Sequence, residues 1–265
     1  MPITVKTFAT LGEAASALQS DHGARFLAGG TLVMRAINEG DVSIGTIVRS
    51  TDRAFAEIRP AGARITLGAG VTMGQIIANR ELAFLHPVAR AVGGPAIRNM
   101  ATVGGNLFAP APYGDFAVAL LALDATVITE DGERPIETFL ASRDSSRAIV
   151  TAVTLSLPKA ESFRFLKVSR VKPKGVSVLS IAALLQRTAD GTVTSARIAL
   201  GCMADRPIRA LATEKALLGC KLTPQEIAPA LAAAGEGITP ITDPIASAWY
   251  RAEVLPVHLG RLLLS

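Results

Sequence analysis

Arg98-Asn99-Met100-Ala101-Thr102-Val103-Gly104-Gly105-Asn106, with Asp115 nine residues beyond its Asn, decides the reading of this chain together with an earlier stretch, Arg25-Phe26-Leu27-Ala28-Gly29-Gly30-Thr31. Each glycine pair follows an apolar or structured run and leads into another element. Glycine pairs let a backbone approach a ligand closely and leave N–H groups pointing outward. Two such turns, about seventy residues apart, could hold one diphosphate from both sides.

Outward from these turns the pattern is mixed helix and strand. Thr10-Leu11-Gly12-Glu13 reads as a capping box that opens a helix to about Ser20. Arg25–Ala28 reads as a short strand, Thr31 as the cap of a helix through Ile37, and Ile44–Val48 as a strand. A second unit begins near Ala63: a strand at Arg64–Ala69, a capping box at Thr72–Gln75, helices at Leu85–Val92 and Phe116–Leu123, and strands at Ala125–Thr129 and Ala148–Leu157. The third stretch changes character. Phe163–Arg170, Val176–Gln186 and Val193–Met203 read as three consecutive strands, with Ala189-Asp190-Gly191 as a hairpin turn. Helices are expected at Ile208–Leu218, at Pro224–Ala234 behind a Thr223 cap, and at Ala246–Leu264 with a kink at Pro256. Three strands followed by helices suggest a separate α+β domain, with the boundary near Pro158–Ser162.

The chain has 265 residues, enough for one large domain or two modest ones. It is 49% hydrophobic but only 5% aromatic, so its cores are aliphatic. The net charge of +5 comes from scattered basic residues. The densest run, Lys167, Arg170, Lys172 and Lys174, has no interleaved aromatics, so no nucleic-acid footprint is read. No secretory signal or membrane-length apolar stretch is seen, and a cytoplasmic, reducing location with two free thiols, Cys202 and Cys220, is expected. Two cysteines fall short of the four thiolates of an iron–sulfur cluster, and three scattered histidines share no ligand spacing, so no metal site is expected.

Taken one at a time, the motifs leave alternatives open. Ala28-Gly29-Gly30-Thr31 alone is weak, because glycine turns between strand and helix are common. Asp115 reads either as a turn aspartate capping the helix at Phe116 or as an acceptor for a sugar or ribityl hydroxyl. Lys167 and Arg170 read either as solvent-facing residues of an edge strand or as a cation reaching a phosphate or flavin edge. Both cysteines read as apolar core residues rather than nucleophiles. No Ser/His/Asp arrangement and no cleft-like carboxylate pair appears, so no catalytic residue is assigned.

In order along the chain stand Ala-Gly-Gly-Thr at Ala28–Thr31, Ile-x-Leu-Gly-Ala-x-Val-Thr at Ile65–Thr72, Arg-Asn-x-Ala-Thr-x-Gly-Gly-Asn at Arg98–Asn106, Asp115, Leu-Leu-Ala-Leu-Asp-Ala at Leu120–Ala125, and Tyr250-Arg251 before an apolar helix. With these the chain resembles the FAD-binding medium subunit of the molybdenum hydroxylases, the xanthine dehydrogenase and carbon monoxide dehydrogenase family. The resemblance implies an α+β fold. Two α/β subdomains, about 1–55 and 56–160, would clamp FAD in a PCMH-type domain, followed at 161–265 by a domain with a three-stranded antiparallel sheet and helices. It implies that Ala28, Gly29, Gly30, Thr31 and Leu32, with Thr102, Val103, Gly104, Gly105 and Asn106, cradle the diphosphate. It further implies that Asp115 holds a hydroxyl and that Lys167 matches the family's lysine on the first strand of the last domain. The implied partners are a large molybdenum-cofactor subunit and a small 2Fe-2S subunit, in a heterotrimer or a dimer of heterotrimers. The implied function is relay of electrons from those clusters through FAD to an external acceptor. A self-sufficient flavin oxidoreductase and a non-catalytic assembly subunit are the alternatives. Three departures stand out, one of them a loop from Gly132 to Ile149 that is shorter than usual in the family. Leu32 replaces an Asp frequent in the family. Lys172-Pro173-Lys174-Gly175-Val176 replaces a segment that shields the flavin in some members, where Val176 or Leu179 remain as possible shields.

Overall fold

The computed structural model describes residues 2–172 and 175–265. The first unit contains β1 (Thr4–Phe8), α1 (Leu11–Ser20), β2 (Ala24–Phe26), α2 (Val33–Asn38) and β3 (Thr46–Ser50). Its three strands are parallel, in the order β1-β3-β2. The capping box at α1 forms: Thr10 Oγ1 accepts from Glu13 N (3.2 Å) and Glu13 Oε2 accepts from Thr10 N (3.1 Å). Helical spacing then lays Ala14, Ala15 and Leu18 against Ala24, Val48 and Ile149.

The second unit is built on a five-stranded antiparallel sheet, ordered β4-β5-β8-β6-β7. Its strands are β4 (Ile58–Ala61), β5 (Arg64–Gly68), β6 (Thr126–Thr129), β7 (Gly132–Pro135) and β8 (Val150–Ser156). The helices of this unit are α3 (Met73–Ala78), α4 (His86–Ala91), α5 (Pro95–Arg98), α6 (Val103–Leu107), α7 (Asp115–Ala122) and α8 (Ile136–Ser142). The capping box at Thr72 and Gln75 opens α3 as expected. The edge strands β1 and β4 lie outside the sequence expectation for one reason. Most of their side chains are exposed, so no buried alternation marks them.

The third unit carries β9 (Phe163–Ser169), β10 (Ser177–Arg187), β11 (Val193–Gly201) and β12 (Ile208–Arg209) in an antiparallel sheet ordered β12-β11-β10-β9. Three strands match expectation, and a two-residue fourth is added. Ile208–Arg209 pairs with Leu200 and Ala199, so the helix expected from Ile208 starts later, as α9 (Leu211–Leu217). The helix expected from Pro224 also starts late, as α10 (Ala228–Ala232). Pro229 would break a helix begun at Pro224, but is tolerated in the first turn of one begun at Ala228. The last helix, α11 (Ala248–Leu263), runs through Pro256. On it Arg251, fully buried, donates to the carbonyls of Val178 (2.9 Å) and Ile241 (2.5 Å) and to Asp243 Oδ2 (2.8 Å).

Every residue of α7 is buried. It packs on the second unit's helices on one side and on β10 and β11 on the other. Ala182 and Ala199 of the third sheet therefore belong to the same apolar cluster as Phe116 to Ala122. This shared core fixes the third unit against the second and brings the end of β9 to the site.

Candidate functional site

One cleft of about 850 Å³ runs between the first and second units, with Lys167, Gly175 and Val176 of the third at its edge. That volume lies in the upper part of the range for small-molecule sites, and domain junctions are where such sites concentrate. Eleven of the twelve residues expected at the site line it: Ala28, Gly29, Gly30, Thr31, Leu32, Thr102, Gly104, Gly105, Asn106, Asp115 and Lys167. Val103 is fully buried in the core of the second unit instead.

The two glycine segments meet at the floor of this cleft but differ in what they offer. After β2, Leu27 N still donates to Val48 O (2.8 Å), which ends the pairing with the sheet. Gly30 then takes φ +74°, a left-handed conformation that suits glycine. The first bond of the following turn runs from Met34 N to Gly30 O (2.9 Å). This moves the cap of α2 to Leu32, which has no side-chain acceptor, so Thr31 is not the helix cap. The amides of Gly29, Gly30, Thr31 and Leu32 donate to no described residue, and these four residues line the cleft. A Cβ on Gly29 would overlap the carbonyl oxygen of Met100, so glycine is what lets the two segments touch.

The second segment is not an open turn but the one-turn helix α6. Thr102 caps it, with Oγ1 accepting from Gly105 N (3.0 Å). Val103 N donates to Val71 O (2.9 Å), Gly104 N to Ala69 O (2.8 Å) and Asn106 N to Thr102 O (3.0 Å). Asn106 Nδ2 also donates to Thr102 O (2.9 Å). All four amides are thus committed inside the protein. The expectation of outward-pointing N–H groups fails for this segment. A Cβ on Gly104 would stand 2.8 Å from that of Ala69, which makes this segment a close-packed wall.

Asp115 is the first residue of α7, behind Gly114 at φ +85°, and it does not cap the helix. Its carboxylate accepts from Ser177 Oγ at Oδ1 (2.6 Å) and from Lys167 Nζ at Oδ2 (2.8 Å). A carboxylate in the first turn also suits the positive end of the helix dipole. Lys167 donates as well to Ala91 O (2.9 Å). Although β9 is an edge strand, Lys167 is not solvent-facing, because α4 and α7 cover its ammonium. Arg170 lies just past β9, is exposed, and donates to Ile245 O (3.4 Å). Ser177 had no sequence signal of its own; the packing of α7 on β10 brings it to Asp115.

Several cations at the cleft also escaped the sequence reading. Arg25, Arg35, Arg143 and Arg147 line it with Lys167, against Asp41, Asp115 and Asp144. Arg35 Nη1 donates to Tyr113 Oη (2.5 Å), joining the first unit to the loop before α7. Arg147 Nη2 donates to the carbonyls of Leu18 and Asp21, holding the loop after α8 against the end of α1. Of the expected shields, Val176 lines the cleft, whereas Leu179 is in the core of the third unit. Pro173 and Lys174 lie outside the described residues. Cys202 is buried, with Sγ donating to Ser177 O (3.5 Å), and burial pushes its thiol up to about 12. Cys220 is half-buried and donates to Ala216 O (3.4 Å).

Residues 2–159 match the family described as the FAD binding domain in molybdopterin dehydrogenase. The chain belongs to that family. Residues 164–265 match the CO dehydrogenase flavoprotein C-terminal domain. Among curated relatives, the glyceraldehyde dehydrogenase medium chain of Sulfolobus acidocaldarius is 26% identical over 94% of this chain and 92% of its own. The nicotinate dehydrogenase FAD-subunit of Eubacterium barkeri is 32% identical over 52% of this chain and 51% of its own. The fold matches a chain of carbon monoxide dehydrogenase from Hydrogenophaga pseudoflava with a TM-score of 0.89 at 22% identity, covering 99% of this chain and 96% of that one. It also matches quinoline 2-oxidoreductase from Pseudomonas putida 86, with a TM-score of 0.87 at 24% identity over 100% and 96% of the two chains. This FAD-binding family member is thus an oxidoreductase subunit whose cofactor is FAD. No helix of the described residues is long and apolar enough to cross a membrane.

Proposed function

We propose that this chain is the flavoprotein subunit of a heteromeric molybdenum-containing dehydrogenase of the cytoplasm, receiving electrons from 2Fe-2S clusters of a partner subunit and delivering them to an external acceptor. The observation that carries the reading is the run Gly29–Leu32, whose four amides donate to no described residue and which lines the cleft directly beside the close-packed α6. Such a run of donors answers the oxygens of a diphosphate. The residues therefore fit FAD. Ala28–Leu32 would hold the diphosphate through backbone donors, which leaves Leu32 no handicap against a side-chain ligand. Thr102, Gly104, Gly105 and Asn106 would form the wall against which it lies, with Val103 anchoring that wall from behind. Asp115 and Lys167 would present polar atoms to the flavin-bearing half.

FAD, when bound, supplies the step between two-electron and one-electron redox chemistry. The chain itself binds, orients and encloses. No acid–base constellation is needed for that task, and the molybdenum centre would reside in a separate large subunit with the clusters in a small one. Expression with and without its partners tests the reading. The purified chain should bind FAD one to one and release it intact on denaturation. A folded chain that takes up no FAD overturns the cofactor assignment. Affinity capture should bring down one large and one small, cysteine-rich subunit; oxidation of a small substrate by the FAD-loaded chain alone overturns the division of labour.

A further inference from the structure

Arg143 is the most buried cation lining the cleft, with a relative exposure of 3%. It follows α8, and its Nη1 donates to Leu107 O (2.8 Å), the end of α6. Its Nε is closed off from solvent without a hydrogen-bond partner. Nη2 donates to no described residue. The one described carboxylate within ion-pair distance, Asp144 at 3.6 Å, is 92% exposed and solvated, which makes it a weak counter-ion. Burial lowers the affinity of this guanidinium for its proton, opposed by Asp144 and Asp205, while Arg206 adds to it. An arginine does not relieve that cost by deprotonating. A buried cation so incompletely neutralised calls for an anion. Capping Leu107 O takes one donor and no charge, so that task leaves the rest of the guanidinium unexplained.

We infer that Arg143 supplies the counter-charge for the phosphates of the bound dinucleotide, so that the cleft discriminates among ligands by their phosphate groups and not by the flavin ring alone. The inference rests on the reading that this cleft holds FAD. It adds a side-chain cation to the backbone donors of Gly29–Leu32. Arg143 suits the role better than Lys167, whose ammonium is already paired with Asp115.

The test is a ligand series on the full chain stripped of flavin. FAD and riboflavin are titrated by flavin fluorescence, ADP and adenosine by calorimetry, against wild type, R143Q and R143K. R143Q should weaken FAD and ADP by roughly tenfold or more, the scale of a lost charged hydrogen bond, and riboflavin and adenosine by less than about twofold. R143K keeps the charge and should keep most of the preference for ADP over adenosine. Equal losses for phosphorylated and unphosphorylated ligands would reduce Arg143 to a structural brace, and unchanged binding of all four would remove it from the site. If R143Q does not fold, R143M takes its place: an ADP-to-adenosine preference reduced roughly tenfold supports the inference, and a preference near wild type overturns it. Failure of wild type to bind any of the four sinks the FAD reading instead, a result distinct from either.

Discussion

Lys167→Met probes the strap between the third unit and α7. The ammonium makes two hydrogen bonds, to Asp115 Oδ2 at 2.8 Å and to Ala91 O at 2.9 Å. Both partners of the ion pair are shielded, with side chains 13% and 6% exposed. Methionine keeps most of the chain length and removes the charge. It leaves the Asp115 carboxylate buried with one side-chain donor, Ser177 Oγ at 2.6 Å. Removing one partner of a buried pair costs about 3–5 kcal/mol, against about 0–1 kcal/mol for an exposed pair. The residual exposure of Lys167 favours the lower end, about 3 kcal/mol. For a chain of this size that corresponds to a Tm lower by roughly 6–12 °C. The second arm is D115N/K167M, which removes the stranded charge. It should recover half or more of the loss, at least about 1.5 kcal/mol. Thermal melts by circular dichroism without added flavin, with urea titrations for the free energies, read both. A K167M melt within about 2 °C of wild type would show a solvent-screened pair and refute the reasoning. So would a double variant no better than K167M.

Gly29→Ala drives a Cβ into the Met100 carbonyl, backbone against backbone, so the two segments must part. A loss of about 1–3 kcal/mol and weaker FAD binding are expected, while Gly12→Ala, with nothing near its Cβ, should stabilise α1 by about 0.5–1 kcal/mol in the same melts. Thr102→Val removes the acceptor for Gly105 N and should cost about 1 kcal/mol in urea unfolding. It also frees a donor at the cleft wall. Cys202 titrates near 9.0 when unfolded and is pushed up to about 12 in the fold by burial first and by Asp115 next. Below the lower value both states hold the proton and nothing changes. Between the two values only the folded state holds it, so stability falls as pH rises, by up to about 1.4 kcal/mol per pH unit. Cys202→Ala should show a shallower alkaline loss between pH 9 and pH 11, and native Cys202 should resist alkylation at pH 8.

Local chemistry made much of the fold legible. Thr10 with Glu13 and Thr72 with Gln75 announced their helices because a capping box is a contract between residues three apart. The hairpin at Ala189-Asp190-Gly191 and the long strands around it were equally plain, since most of β10 and of β11 is buried. Features set by distant neighbours were hidden. Strand β12 exists because Ile208 and Arg209 fall beside Leu200 and Ala199, a fact of tertiary register. Ser177 reaches Asp115 from 62 residues away, and Arg143 reaches Leu107 from 36. Nothing in the local pattern of a serine after Lys-Gly-Val, or of an arginine after a short helix, marks either as a partner.

The difference between the two glycine pairs is, by contrast, written in the residues themselves. In Thr102-Val103-Gly104-Gly105 the hydroxyl precedes the pair, so the threonine takes the N-cap and its oxygen meets the amide three residues on. The segment closes on itself and becomes a wall. In Gly29-Gly30-Thr31-Leu32 the hydroxyl follows the pair, the cap falls on leucine, and no side chain answers the amides ahead of α2. Donors left open in a half-exposed cleft are hydrated, and a ligand that supplies acceptors takes the place of that water. Capping that satisfies a helix end stabilises the fold, and the uncapped end of α2 keeps its donors open to a ligand. The order of threonine and glycine thus separates the segment that closes on itself as a wall from the one proposed to hold the diphosphate, and Gly29 joins them by letting the second segment's backbone lie against the first.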